Sequence, residues 1–295
     1  MALIAIDWGT TNCRAYLLDG QGEVQRQTAS GLGILSVPKG AFPDALNAMR
    51  RALDPHAPVL IAGMAGSNRG WIEVPYADAP ATAGQIAAGA VAAPGCPDVR
   101  IVPGVRMAAP HRADVMRGEE TQILGAGVED GLLCLPGTHT KWARVDGGAV
   151  AQFSTTMAGE VYNLLRTQSI LKGSLPETHS PTPDTDGFLA GLAAAKQGRF
   201  LGQAFAVRPM SLLDGRGPDW CEGYLSGLVI GTDVREGAPA PGATVTVVGA
   251  EGLARLYADA LRAAGCVPRI AGGGAAFVRG AWRIAQEMQW ERAPA

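Results

Sequence analysis

This 295-residue sequence lacks an excess of charge of either sign: 25 Lys and Arg stand against 27 Asp and Glu, a formal net charge of −2 at pH 7. That balance provides no broad cationic field, so neither nucleic acid nor a membrane surface is expected as a partner. Lysine itself is scarce, at four of the 25 basic residues. The five cysteines, Cys13, Cys96, Cys134, Cys221 and Cys266, are never spaced Cys-x-x-Cys. That disfavours both a disulfide framework and a structural zinc site, and a reducing cytoplasm is the expected location. No run approaches the roughly 18 apolar residues of a membrane-spanning helix. The short apolar run 2–6 has no basic residues before it, so no secretory leader is expected. Gly-Lys-Ser and Gly-Lys-Thr are missing, which excludes a P-loop. Gly272-Gly273-Gly274 has neither the Gly-x-x-Gly continuation nor the later acidic residue of a dinucleotide fingerprint.

What the chain has is apolar residues and glycine: 47% of it is hydrophobic, 18% is charged, and 40 residues are Gly. Such a chain can bury one or two full cores, and its length favours two domains. Period-2 patterns predict strands at 2–6, 14–18 and 23–28, joined by the loop Asp7-Trp8-Gly9-Thr10-Thr11-Asn12 and the turn 19–22. A helix over 41–53, a buried strand over 59–64, a helix over 83–92 and a strand over 99–102 follow. A polar stretch from Met116 to Gly125 comes next, and then the opening pattern recurs. Strands at 132–135, 142–145 and 149–154 surround the loop Pro136-Gly137-Thr138-His139-Thr140-Lys141 and the turn 146–148. Gly9-Thr10-Thr11-Asn12 falls on Gly137-Thr138-His139-Thr140, about 128 residues later. Two copies of one strand-loop-strand-turn-strand unit predict a duplicated architecture; the alternative is two unrelated hairpins that share turn residues. The remainder reads as helices over 159–171, 184–197 and 219–235, a strand over 244–248, a helix over 253–264, a strand over 267–271 and a helix over 275–288. The fold class is therefore α/β with a mixed sheet in each half, divided as 1–130 and 131–295.

A strand that ends in Asp and runs into Gly-Thr-Thr suits a phosphate. Glycine lets the backbone come close, successive N–H groups converge on the anion, hydroxyls add donors, and a carboxylate beside them can hold hydrated Mg²⁺. A second such loop in a second copy strengthens that reading. Near the C-terminus, a strand running into Gly249-Ala250-Glu251-Gly252 and a helix offers small residues against which a base or ribose could lie, or simple α/β packing.

Four segments then carry a resemblance: Asp7-Trp8-Gly9-Thr10-Thr11-Asn12, Ala62-Gly63-Met64-Ala65-Gly66-Ser67-Asn68, Met116-Arg117-Gly118-Glu119-Glu120-Thr121-Gln122 and Pro136-Gly137-Thr138-His139-Thr140-Lys141-Trp142. Together, and in this order, they resemble the 2-dehydro-3-deoxygalactonokinase family over nearly the whole chain. The resemblance implies the duplicated fold of the actin, hexokinase and heat-shock chaperone ATPase superfamily, related to ribonuclease H, with a nucleotide cleft between two similar lobes. By it Asp7, Gly9, Thr10 and Thr11 look like the first phosphate loop, Gly137 and Thr138 like the second, and Gly249, Ala250, Glu251 and Gly252 like the adenosine segment. Most of the sugar-acid site is then expected in the first lobe. The superfamily's second loop commonly begins with Asp where this chain has Pro136, so Mg²⁺ is expected to lean on Asp7, through water.

Phosphoryl transfer also needs a base near the attacking hydroxyl. Glu119 or Glu120 is expected in that role, with a pair of acids at a helix start as the plainer reading of the same residues. A sugar-acid carboxylate is best met by an Arg fork, for which Arg14, Arg69 and Arg117 are candidates. Asn12, Ser67, Asn68 and His139 are candidate hydroxyl partners, and Lys141 is a candidate contact to phosphate or acid. Glu160 could cap its helix or face the site. Trp8 and Trp142 read either as apolar walls of the site or as core. The expected activity is ATP-dependent phosphorylation of 2-dehydro-3-deoxy-D-galactonate at its terminal hydroxyl. Another sugar or sugar-acid kinase, or an acceptor-independent ATP or polyphosphate hydrolase, is the alternative. The expected ligands are ATP, Mg²⁺ and a small sugar acid; a homodimer is compatible with the sequence and not specified by it.

Overall fold

The structure, a computed structural model, describes residues 2–108, 113–180 and 182–290. In chain order its first part holds strands β1 (Leu3–Trp8), β2 (Cys13–Leu18) and β3 (Val24–Ser30), helix α1 (Phe42–Ala52), strands β4 (Val59–Gly63) and β5 (Ala77–Asp78), helix α2 (Ala83–Ala88), strands β6 (Val91–Ala93), β7 (Cys96–Ile101), β8 (Val105–Ala108) and β9 (Ala113–Met116), and helix α3 (Glu119–Leu124). Strands β10 (Gly131–Leu135), β11 (Thr140–Asp146) and β12 (Ala149–Thr156) follow, then helices α4 (Ala158–Gln168), α5 (Thr185–Lys196), α6 (Phe200–Phe205), α7 (Val207–Leu212) and α8 (Pro218–Gly237). Strand β13 (Thr244–Gly249), helix α9 (Glu251–Ala263), strand β14 (Val267–Gly272) and helix α10 (Gly273–Gln286) close the chain. Two compact units result. The first comprises the chain up to Asp130, Ala143–Phe153 and the chain from Gly273; the second comprises Gly131–Trp142 and Ser154–Gly272.

In the first unit a six-stranded sheet runs β3-β2-β1-β4-β7-β6. Strand β1 pairs antiparallel with β2 and parallel with β4. Its Leu-Ile-Ala-Ile run is fully buried, as a central strand covered on both faces requires. Trp8 ends that run in the core. Its indole N–H donates to the Leu32 carbonyl at 3.0 Å, and its ring meets Phe42 edge-on at 5.4 Å between centroids. Of the two readings of Trp8, core is the one the structure shows. A separate three-stranded sheet, β5-β8-β9, leads into α3. Helix α10 lies so close to the α3 end that a Cβ on Gly280 would sit 1.8 Å from the Thr121 carbonyl oxygen.

In the second unit β10, β13 and β14 run parallel, within the strand order β12-β11-β10-β13-β14. Helices α5 and α8 pack backbone against backbone. A Cβ on Gly191 would fall 2.1 Å from the Tyr224 carbonyl, and one on Gly227 would fall 2.1 Å from that of Phe188. At these contacts any side chain would force the helices apart. Trp142 is core as well, its indole donating to the buried Asp233 carboxylate at 2.9 Å.

Candidate active site

Asp7 stands one residue before the end of β1, opposite Arg14 on β2 and beside Ala62 on β4. Burial pushes its carboxyl above the usual range; Arg14 opposes that shift and Glu119 adds to it. Two carboxylates therefore share this strand end with one guanidinium. What brings Glu119 there is a pair of glycines. Gly63, at the end of β4, has φ +97°, and a Cβ on it would lie 2.8 Å from the Trp8 carbonyl oxygen. Gly118, immediately before Glu119, has φ +112°, and its own Cβ would lie 3.3 Å from the Gly63 Cα. Both positions take left-handed backbone that side-chain-bearing residues avoid. With both kept bare, the 117–119 segment lies against the turn after β4. The Gly-Met-Ala-Gly and Arg-Gly-Glu-Glu motifs are thus halves of one contact.

The two glutamates part ways at this turn. Glu119 accepts from its neighbour Arg117's backbone N–H at 3.1 Å and remains half-exposed. Glu120 is fully buried; it accepts from the Gly118 N–H at 2.6 Å and from the Thr121 hydroxyl at 3.1 Å. Burial, with Glu119 as a second cause, pushes the Glu120 carboxyl up to about 7. Its ordinary value is 4.5, so folding takes up a proton between those pH values and stability falls as pH rises through that window. Glu120→Gln removes the titration while keeping an acceptor for the Gly118 N–H. The variant is expected to melt with the wild type at pH 5 and a few degrees above it at pH 8. Melting curves at both pH values check this; an identical gap at the two would show that Glu120 does not titrate between them.

The Gly9–Asn12 tip is closed by the Gly9 N–H to Asn12 carbonyl bond at 2.9 Å. The carbonyls of Gly9, Thr10 and Thr11 are taken by the N–H groups of Ile34, Leu35 and Gly33. That anchoring fixes the tip from one side and leaves Thr10, Thr11 and Asn12 exposed. Among the other expected ligand contacts, Arg14, Asn68 and Arg69 are exposed. Ser67 is buried, its hydroxyl donating to the Met64 carbonyl at 2.7 Å. Arg117 is held hard: its guanidinium lies 4.3 Å over the Tyr76 ring, and Nη2 donates to the Val74 carbonyl at 2.8 Å. Its Nε and Nη1 are buried with no acceptor among the described residues, a state that calls for a bound water or anion.

In the second unit the Gly137–Thr138 loop abuts the first turn of α4. A Cβ on Gly159 would sit 2.2 Å from the Gly137 carbonyl oxygen, and the Glu160 N–H donates to the Thr138 carbonyl at 2.9 Å. His139 bonds Glu160 at 2.6 Å, so Glu160 is committed to the loop. Lys141 is buried, at 5% exposure, rather than solvated on its strand. Gly137 and Thr138 line a cavity of about 560 Å³ together with Tyr162, His179, Ser180, Ala250, Gly252 and Leu256. Its size and largely apolar lining suit a small molecule. Ala250 and Gly252 of the expected adenosine segment thus line it. Glu251 points to solvent and pairs with Arg255 one helical turn on, and Gly249 ends β13.

Sequence reasoning missed the polar groups behind this cavity. Asp233, on α8, accepts from Trp142, from the Thr156 hydroxyl at 2.7 Å and from Tyr257, whose hydroxyl lies 3.0 Å from that of Thr140. Glu222, also on α8, gathers Tyr162, Arg166 and His179. Both carboxylates lie in a helix whose pattern signals only burial, and their partners come from distant segments. Among the described residues no group of three or more His, Cys, Asp or Glu could hold a metal ion. None of their helices is long and apolar enough to cross a membrane.

Residues 7–284 match the 2-keto-3-deoxy-galactonokinase family. The chain belongs to that family. The 2-dehydro-3-deoxygalactonokinase of Escherichia coli (strain K12) is 34% identical over 293 residues, covering 97% of this chain and 98% of its own. A crystal structure of a protein from Sinorhizobium meliloti assigned as the same kinase has a TM-score of 0.90 at 32% identity, over 96% of this chain and 98% of that one. The activator of 2-hydroxyisocaproyl-CoA dehydratase from Clostridium difficile, solved with bound ADPNP, shares the fold alone: TM-score 0.51, 11% identity, 97% of this chain and 96% of that one. The α/β architecture, with a parallel and antiparallel mixture in its main sheets, is the fold shared with these proteins.

Proposed function

We propose that this member of the family transfers the γ-phosphoryl group of ATP to the terminal hydroxyl of 2-dehydro-3-deoxy-D-galactonate, giving the 6-phosphate, in the cytoplasm. The observation that carries the site assignment is the Gly63–Gly118 contact, which seats Glu119 beside Asp7 at the end of β1. In this reading the second unit takes the nucleoside in its 560 Å³ cavity, with the phosphates toward Gly137 and Thr138. The first unit handles the reacting groups: the amides and hydroxyls of Thr10 and Thr11 contact phosphate, and Glu119 accepts the proton of the attacking hydroxyl. Glu119 suits that role better than Glu120 because it is half-exposed, whereas Glu120 is fully buried and spent on Gly118 and Thr121. The sugar-acid carboxylate is met by arginine, for which Arg117 brings two unsatisfied donors and Arg14 and Arg69 bring exposed ones.

Mg²⁺ fits this donor set. Asp7 is a hard oxygen ligand whose buried charge a cation would relieve, and hydroxyls stand beside it on the tip. A site with few protein carboxylates suits an ion that keeps several waters and binds largely through nucleotide phosphates. Asp7 would hold it, and when bound it would neutralise charge on the phosphoryl oxygens.

A coupled ADP-release assay over a panel of keto-deoxy sugar acids and neutral sugars tests the reading. Turnover should appear with 2-dehydro-3-deoxy-D-galactonate and fall at least about 100-fold for a neutral sugar that leaves the arginine unpaired. ADP release independent of every acceptor would replace the kinase by a hydrolase.

A further inference from the structure

The loop 176–180 has no regular structure, yet it forms part of the nucleoside cavity, and one buried carboxylate fixes it there. Glu222, 3% exposed, accepts from Arg166 Nε at 2.7 Å, from the Tyr162 hydroxyl at 3.1 Å and from His179 Nδ1 at 2.8 Å. Arg166 extends the clamp, donating through Nη2 to the carbonyls of Pro176 at 3.1 Å and Glu177 at 3.4 Å. An ionised carboxylate only accepts, so Nδ1 must carry the ring proton, and in the neutral ring Nε2 is left as an acceptor. The ring is half-exposed, lines the cavity beside Ser180, and meets Tyr162 edge-on at 5.9 Å between centroids.

Gly137 and Thr138 line the same cavity as Tyr162, His179 and Ser180, and Gly159 touches the Gly137 loop. A cavity of about 560 Å³ holds a nucleoside, so a nucleotide with its phosphates at Gly137 and Thr138 carries its base into the space that His179 lines.

We infer that His179, oriented by Glu222, selects a 6-amino purine: its Nε2 accepts a hydrogen bond from the exocyclic amine of adenine and faces the 6-oxo group of hypoxanthine or guanine acceptor to acceptor. His179 is the specificity residue and Glu222 a positioning residue that acts through it. The inference rests on the kinase reading for the presence of a nucleotide in this cavity.

Calorimetry with ADP and IDP, without sugar acid, tests it on the full chain, alongside KM values for ATP and ITP in the coupled assay. The wild type should bind ADP about tenfold more tightly than IDP, the cost of one hydrogen bond replaced by an acceptor facing an acceptor. His179→Ala should weaken ADP about tenfold and bring the ADP-to-IDP ratio near one. Arg166 Nε, the Tyr162 hydroxyl and His179 Nδ1 all donate to one Glu222 oxygen, so Glu222→Gln keeps its amide oxygen there and should keep the preference for ADP, whereas Glu222→Ala removes the ring's acceptor and should bring the ratio toward one. If that variant fails to fold, the wild-type ratio and His179→Ala carry the test alone. Equal ADP and IDP affinity in the wild type, or an unchanged ratio in His179→Ala, overturns the inference while sugar-acid phosphorylation still stands. Absence of binding by both nucleotides together with absence of phosphorylation overturns the kinase reading and this inference with it.

Discussion

Asp7→Asn is expected to lower kcat by roughly 10²–10³-fold, the usual cost of removing one electrostatic contact to a reacting phosphoryl group, while the protein stays folded. The two halves of this expectation have one cause. Burial and the nearby Glu119 hold the Asp7 carboxyl above its ordinary range, so its negative charge is unfavourable in the folded chain. A group whose folded pKa is raised costs stability once pH exceeds its unfolded value, so at neutral pH the isosteric amide should melt at or above the wild-type temperature. A charge retained against its own stability is the signature of a group kept for chemistry. The coupled assay and a melting curve on the same preparation check both halves. A variant that turns over normally would remove Asp7 from the site; one that loses activity by melting early would make it a structural residue. The KM for Mg²⁺ should rise in the variant as well, which separates a metal role from a purely positional one.

The expectation for Asp7 could be formed because the features that place it are local in sequence. An apolar run that ends in Asp-Trp-Gly-Thr-Thr-Asn reads as a central strand running into a tight tip, and β1, the tip and β2 follow that pattern. The recurrence at Pro136–Trp142 was legible for the same reason, and β10, β11 and β12 repeat the order of β1, β2 and β3. Strands β5, β8 and β9 were not anticipated, since two to four residues of mixed exposure carry no period-2 signal. Within the polar stretch 116–125, α3 was legible only as the plainer reading of Glu119 and Glu120, acids at a helix start, where both stand; six residues are too few to show a helical stripe. The division of labour between Glu119 and Glu120 was invisible in principle. It arises from Gly118 meeting Gly63, two positions 55 residues apart whose backbone angles no spacing rule encodes. Glu222 and His179 were hidden likewise: a carboxylate inside an otherwise buried helix and a histidine in a Pro-, Ser- and Thr-rich loop meet only through the tertiary fold.

That division of labour makes the second large prediction sharp, because two adjacent glutamates with opposite surroundings should respond oppositely to the same substitution. Glu119→Gln is expected to lower kcat by about 10²–10⁴-fold, the range for loss of a general base, with the KM for ATP nearly unchanged because the cavity proposed for the nucleoside is lined by residues of the other unit. Its stability should hold or rise: Glu119 raises the carboxyl of both Asp7 and Glu120, so removing its charge relieves repulsion at the strand end. Glu120→Gln should retain most activity, since its amide oxygen can accept from the Gly118 N–H while its NH2 donates to the Thr121 hydroxyl, which turns to accept. The reverse pattern, lost turnover in Glu120→Gln and normal turnover in Glu119→Gln, would transfer the base to the buried carboxylate and require the 117–121 turn to open for each catalytic cycle.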